Sequence, residues 1–156
     1  MPIDTQPRER DSSIWQLLNW EPSETQYTSY KIVQSEIESL NKKVNLTRLI
    51  KGDDYWIRQV FDSLWPFKKE LENQNLNLNF IDVGTGCGFP GIAIAIAFPF
   101  ATVTLIDSSL RKTNSLKKII SKIECTNRVF IKTERIEKTG QDIIYRGNFD
   151  VAMARA

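Results

Sequence analysis

A chain of 156 residues can bury one real core and does not promise two. With 41% hydrophobic and 26% charged residues and no biased tract it reads as globular, and its longest apolar stretch, Ile92 to Phe98, is far below the roughly 20 residues of a membrane span. A net charge of +2 permits an anionic partner without arguing for one, and the absence of histidine, with two cysteines far apart, argues against a zinc site, any other metal site or a disulfide framework.

Residues 1–13 are polar and carry both signs of charge, so they read as a mobile arm and as neither a signal nor a transit peptide. A cytoplasmic location is the default. Ile14, Trp15, Leu17, Leu18 and Trp20 form a short apolar run broken at Pro22. Tyr30, Val33, Ile37, Leu40 and Val44 then recur at steps of three and four, which predicts an amphipathic helix. Asp53 or Asp54 can cap a second helix with Trp56, Ile57, Val60, Phe61 and Leu64 on its apolar face, stopped by Pro66. Residues 14–78 are thus expected to form a helical cap ending in the polar connector Asn73 to Asn79.

Beyond the connector the pattern changes. Phe80 to Val83 is a short strand ending in glycines, and Ile92 to Phe98 a small buried helix. Val103, Leu105 and Ile106 among β-branched threonines predict a second strand ending at Asp107, and Leu110 to Ile123 a helix with Leu116, Ile119, Ile120 and Ile123 inward. Val129 to Ile131 reads as a third strand, Gln141 to Tyr145 as a short helix and Phe149 to Met153 as a fourth strand. Alternating strands and helices imply right-handed crossovers and a parallel α/β sheet.

The informative segment is FIDVGTGCGFPG, Phe80 to Gly91, between the first strand and its helix. Gly84, Gly86 and Gly88 permit a sharp turn and close approach to a ligand. A loop that merely needs unusual backbone angles is the plainer reading, but three glycines in five residues at this junction favour a ligand loop. Asp107, at the tip of the second strand, is placed to accept ribose hydroxyls; an ordinary strand-end cap is its plainer reading. The spacing is G-x-G-x-G rather than the dinucleotide G-x-G-x-x-G, and Asp82 precedes the loop by two residues. A carboxylate there repels a pyrophosphate and suits an ammonium, so the charge pattern favours S-adenosylmethionine over a nicotinamide dinucleotide.

These residues carry a resemblance. FIDVGTGCGFPGI resembles the first motif of the bacterial 16S ribosomal RNA guanine-N7 methyltransferase G family, also called glucose-inhibited division protein B. NKKVNLTRL, VFDSLWPF, VTLIDSSLRKTNSLKKI, TERIE and FDVAMARA are similar to further family segments in the same order, so the resemblance spans Ile14 to Ala156. It implies a Rossmann-like methyltransferase fold with a helical N-terminal cap, residues 79–156 being the N-terminal half of the methyltransferase domain with strands ordered 3-2-1-4. It implies S-adenosylmethionine as cofactor and a guanine of 16S ribosomal RNA in the small subunit as substrate. With Asp82, Thr85, Gly86 and Gly88 of the loop, it assigns Gly84, Phe89, Asp107, Ser108, Ser109, Ile136, Glu137 and Arg155 to the cofactor, and Asn45, Arg135 and Arg155 to the substrate side. Many members carry a histidine where this chain has Gln59, which can replace only its hydrogen bonding. Members also continue past the fourth strand, so the sheet is expected to be incomplete, with the 149–153 edge open to pairing with another chain.

Guanine N7 carries a lone pair and no proton, so methylation there needs no general base, and none is assigned. A cysteine nucleophile for cytosine methylation is not suitably placed, and Ala154-Arg155-Ala156 stands where amino-group methyltransferases carry a proline-rich segment. Arg155 reads as a contact to a phosphate or to the cofactor carboxylate, or more plainly as a solvated arginine. Arg111, Lys112, Lys117, Lys118 and Lys122 read first as a solvated helix face and second as an attraction for RNA backbone. Trp56, Phe61 and Trp65 read first as core and second as base-stacking groups. The alternatives are a non-catalytic cofactor-binding remnant or split half, and a dinucleotide-binding oxidoreductase domain.

Overall fold

In a computed structural model, which describes residues 12–155, the chain opens with a helical cap. Helix α1 spans Ser12–Leu18 and α2 spans Glu24–Asn41. The expected mobile arm falls on residues outside the described ones except for Ser12 and Ser13, which lie in α1. Ser23 caps α2 through a capping box: its hydroxyl accepts from Gln26 N at 3.2 Å, and its own N–H donates to Gln26 Oε1 at 2.8 Å. Tyr30, Val33 and Ile37 are buried as the periodicity predicts, while Val44 lies beyond the helix end.

The next helical stretch departs from expectation. It starts as α3 (Asp53–Tyr55), widens into a π-turn over Trp56–Phe61, and resumes as α4 (Asp62–Leu64). Gly52, not an aspartate, occupies the cap position. The wider winding turns Tyr55, Gln59, Val60, Ser63 and Leu64 inward and leaves Ile57 39% exposed, so Ile57 does not share the apolar face. As expected of Pro66, the α-helical winding ends just before it, at Leu64, and the chain tightens into a 3-10 turn over Trp65–Phe67. Trp56 joins an aromatic cluster, stacking on Tyr27 at 5.4 Å with Tyr55 edge-on, whereas Trp65 is 48% exposed and is not core.

The sheet follows: β1 (Asn79–Val83), helix α5 (Gly91–Ala97), β2 (Thr102–Asp107), helix α6 (Leu110–Ile120), β3 (Val129–Thr133), helix α7 (Ile136–Thr139) and β4 (Val151–Ala154). All strands are parallel in the expected order β3-β2-β1-β4, with β4 at the edge among the described residues. Most bounds move by a residue or two from the reading above, and the larger differences lie after β2. Helix α6 ends at Ile120 and turns to β3, α7 replaces a helix at Gln141 to Tyr145, which is turn, and β4 begins at Val151.

Every residue of α5 is buried, its alternating isoleucines and alanines packing between the cap and the sheet. The cap fixes it at two points. Tyr30 Oη donates to Ala93 O at 2.9 Å, and Gln26 Nε2 donates to Ile96 O at 3.0 Å and Ala97 O at 3.3 Å, where helix carbonyls lack internal partners. The register sets Val83 beside Ile106 and Ala154, so the tips of β1, β2 and β4 end at one level. No helix among the described residues is long and apolar enough to cross a membrane.

Candidate cofactor site

The site is built at those tips. Asp82, the penultimate residue of β1, is fully buried. Its Oδ2 accepts from Thr85 Oγ1 at 2.7 Å and from the first N–H of α5, Gly91 N, at 2.8 Å. Gly91 has to be glycine for this: a Cβ would lie 2.2 Å from Leu105 Cδ2 and 2.9 Å from Asp82 Oδ2. The other oxygen, Oδ1, is buried without a hydrogen-bond partner. Burial pushes the carboxyl up to about 6, against the pull of Thr85, the Gly91 N–H and the Arg155 charge. The group is therefore mostly ionised at neutral pH, with one oxygen unsatisfied.

The loop that follows is held open. Gly84 and Gly86 sit at φ +65° and +60°; a Cβ on Gly84 would meet nothing within 4 Å, and one on Gly86 only the Gly84 carbonyl at 4.0 Å. Left-handed backbone beside empty space is what a ligand cradle requires. Thr85 N donates to Ile106 O at 2.9 Å, tying the loop to β2. Asp107 completes the tie: Oδ2 accepts from Gly86 N at 3.0 Å and Oδ1 from Ser109 N at 2.9 Å. Each oxygen retains acceptor capacity for a ligand hydroxyl.

The other expected residues divide. Thr85 faces inward onto Asp82, and Gly88 is buried where a Cβ would strike Ile92. The Phe89 ring is buried, edge-on to Tyr55 at 5.8 Å. Ser108 is exposed; Ser109 caps α6, its Oγ accepting from Lys112 N at 3.4 Å. Arg135 and Glu137 are exposed around half-buried Ile136, and Glu134 N donates to Asp107 O at 3.1 Å, which brings this turn to the β2 tip. Asn45 is exposed on a loop clamped by Asn41 Oδ1, which accepts from Leu46 N at 2.8 Å and Thr47 N at 3.2 Å.

Arg155 reaches back to the cap. Its Nη1 donates to Arg58 O at 3.0 Å and its Nη2 to Gln59 Oε1. Gln59 Nε2 in turn donates to Thr47 Oγ1 at 3.1 Å and to Cys87 Sγ at 3.6 Å. The sequence reading singled out Gln59 only as standing where the family carries a histidine; its partners, the roles of half-buried Thr47 and Asn41, and that of Glu134 escaped it. Among the described residues no group of three or more histidine, cysteine, aspartate or glutamate side chains could hold a metal ion.

Comparisons with known proteins bear on the family and the fold. Residues 26–156 match the GidB family, rRNA small subunit methyltransferase G. A ribosomal RNA small subunit methyltransferase G of Prochlorococcus marinus (strain MIT 9303) is 50% identical over 143 residues, covering 92% of this chain and 58% of its own length. Its counterpart in Synechococcus sp. (strain CC9902) is 52% identical over 145 residues, covering 93% of this chain and 60% of its own length. The chain thus spans somewhat under two thirds of these curated relatives. Among solved structures, a protein described as a protein-L-isoaspartate O-methyltransferase from Plasmodium falciparum, in complex with S-adenosyl-L-homocysteine, superposes with a TM-score of 0.55 at 14% identity, over 96% of this chain and 74% of its own. That likeness shows a methyltransferase fold. With an ordered match over residues 26–156 and half of all positions shared with its relatives, the chain belongs to the rRNA small subunit methyltransferase G family.

Proposed function

We propose that this chain supplies the cofactor-binding part of an enzyme that methylates guanine N7 in 16S ribosomal RNA, with S-adenosylmethionine as the methyl donor. The observation that carries the reading is the unpartnered, buried Oδ1 of Asp82 beside an open glycine turn. A buried carboxylate oxygen without a partner is costly unless a ligand satisfies it, and a cation does so best. That fits the ammonium of S-adenosylmethionine, and Asp107 fits its ribose hydroxyls. When bound, this cofactor supplies a methyl group on a sulfonium.

The residues of the chain bind and orient. Asp82 takes the ammonium end, the Gly84–Gly86 turn leaves room for the ligand against backbone, and Arg155 offers its guanidinium to a carboxylate. Ser108, Ser109, Ile136 and Glu137 border the nucleoside side. Exposed Asn45 and Arg135 are the candidates for contact with RNA in the small ribosomal subunit. Because N7 presents a lone pair and no proton, no side chain here need remove one, and rate comes from alignment and water exclusion.

Titration calorimetry with S-adenosylhomocysteine and with NAD tests the cofactor assignment. Binding of the first and not the second is expected; NAD binding alone overturns it. Transfer of labelled methyl groups to small-subunit RNA tests the substrate, and label on any atom other than guanine N7 rejects that assignment.

A further inference from the structure

Gln59 stands where three segments that are distant in sequence meet. It is 2% exposed, and both ends of its amide are engaged. Nε2 donates to Thr47 on the cap loop that carries Asn45, and to Cys87 inside the glycine loop; Oε1 accepts from Arg155 after β4. The π-turn over Trp56–Phe61 puts the side chain there, and Ser63 Oγ donates to the Gln59 carbonyl, fixing the backbone. An amide can donate twice and accept from a cation at once, so it satisfies all three neighbours without bringing a charge into a buried spot.

We propose that Gln59 is a positioning residue, which holds the Arg155 guanidinium in place for the cofactor and couples the Asn45 loop to the glycine turn. The inference rests on the cofactor reading above. Arg155 has further acceptors in Arg58 O and Ser63 Oγ, but both come from the helix that Gln59 itself anchors, so losing Gln59 frees the arginine and its support together. The charged groups acting on Asp82 are Arg155, which pulls its carboxyl down, and Asp107, which pushes it up. An untethered Arg155 therefore changes how Asp82 titrates, which a merely space-filling Gln59 does not.

The test is S-adenosylhomocysteine affinity of the chain and of Gln59→Met, Gln59→Glu, Arg155→Met and the Gln59→Met/Arg155→Met pair, measured across pH. Gln59→Met and Arg155→Met are each expected to weaken binding on the order of tenfold, and the pair by no more than the worse single change. Gln59→Glu, which keeps an acceptor for Arg155 but gives up the donor to Thr47 and Cys87 and brings in a buried charge, recovers part of the affinity lost in Gln59→Met. In Gln59→Met the pH below which binding fails moves upward. Additive losses, an unmoved pH profile, or Gln59→Glu binding as weakly as Gln59→Met overturn the inference. If Gln59→Met does not fold, Gln59→Glu against Arg155→Met decides it: equal losses in both contradict the positioning role. Failure of the unaltered chain to bind S-adenosylhomocysteine rejects the cofactor reading itself, whereas binding that is indifferent to Gln59 rejects only this inference.

Discussion

The tips of β1 and β3 each present a carboxylate, and the two are driven in opposite directions. Asp82 is buried with one oxygen satisfied and one bare, and burial lifts it to about 6. Glu134, after β3, is half-buried and saturated: Thr139 Oγ1 donates at 2.6 Å, and Lys132 and Lys138 sit at 3.0 and 3.3 Å, holding it at about 2. The first arrangement leaves one buried oxygen unsatisfied, which costs free energy, while the second is complete in itself. On the proposed reading, the carboxylate with a bare oxygen is the one that meets a ligand, and the saturated one only holds its own turn.

The sharpest way to break this contrast is Asp82→Asn. Loss of the charge is expected to weaken S-adenosylhomocysteine binding about 100-fold, read by calorimetry. Stability should move the other way. A carboxyl raised from 3.8 to about 6 by folding contributes stability that is full below about pH 4 and lost as pH rises through 6. Unliganded Asp82→Asn is thus expected to be more stable than the parent at pH 8, by at most roughly 3 kcal/mol, with the gain vanishing below pH 4 in denaturant titrations. Next in size is Gly91→Ala, which forces a Cβ into Leu105 and Asp82 inside a packed core and should destabilise by roughly 2 kcal/mol on chemical denaturation. Asp107→Ala leaves the Gly86 and Ser109 N–H groups without acceptors and should remove about 1–2 kcal/mol while weakening nucleoside binding roughly tenfold. Glu134→Gln is the smallest: a melting change of a few degrees at most, lost in high salt, with affinity unchanged. Because folding lowers the Glu134 carboxyl, its contribution is present above about 4.5 and disappears as pH falls toward 2.

Much of the sheet was legible because its signals are local. The run at Phe80 to Val83, the glycines after it, and β-branched residues ending at Asp107 each announce themselves within a dozen positions, and the strand order follows from the resemblance they carry. The Trp56–Phe61 turn was not legible, since a pattern read at 3.6 residues per turn cannot show a local widening; it assigned Ile57 to the core and could not show that Gln59 turns inward. Helix α7 is four residues long, too short for any periodicity, and was displaced in the reading to Gln141 to Tyr145. The Arg155–Gln59–Thr47 relay joins residues 96 and 12 positions apart through side chains, and no spacing rule reaches that far. The bare oxygen of Asp82 was equally invisible: sequence placed the acid beside the loop, but only packing shows which half of it is spoken for.

The most direct test follows the Asp82 carboxyl itself, by carbon-detected NMR of the labelled chain with and without S-adenosylhomocysteine. Free, it should titrate near 6; with the nucleoside bound, its midpoint should fall by at least a full unit as an ammonium settles on Oδ1. A midpoint that stays where it was, in a chain shown to be saturated with ligand, contradicts the account.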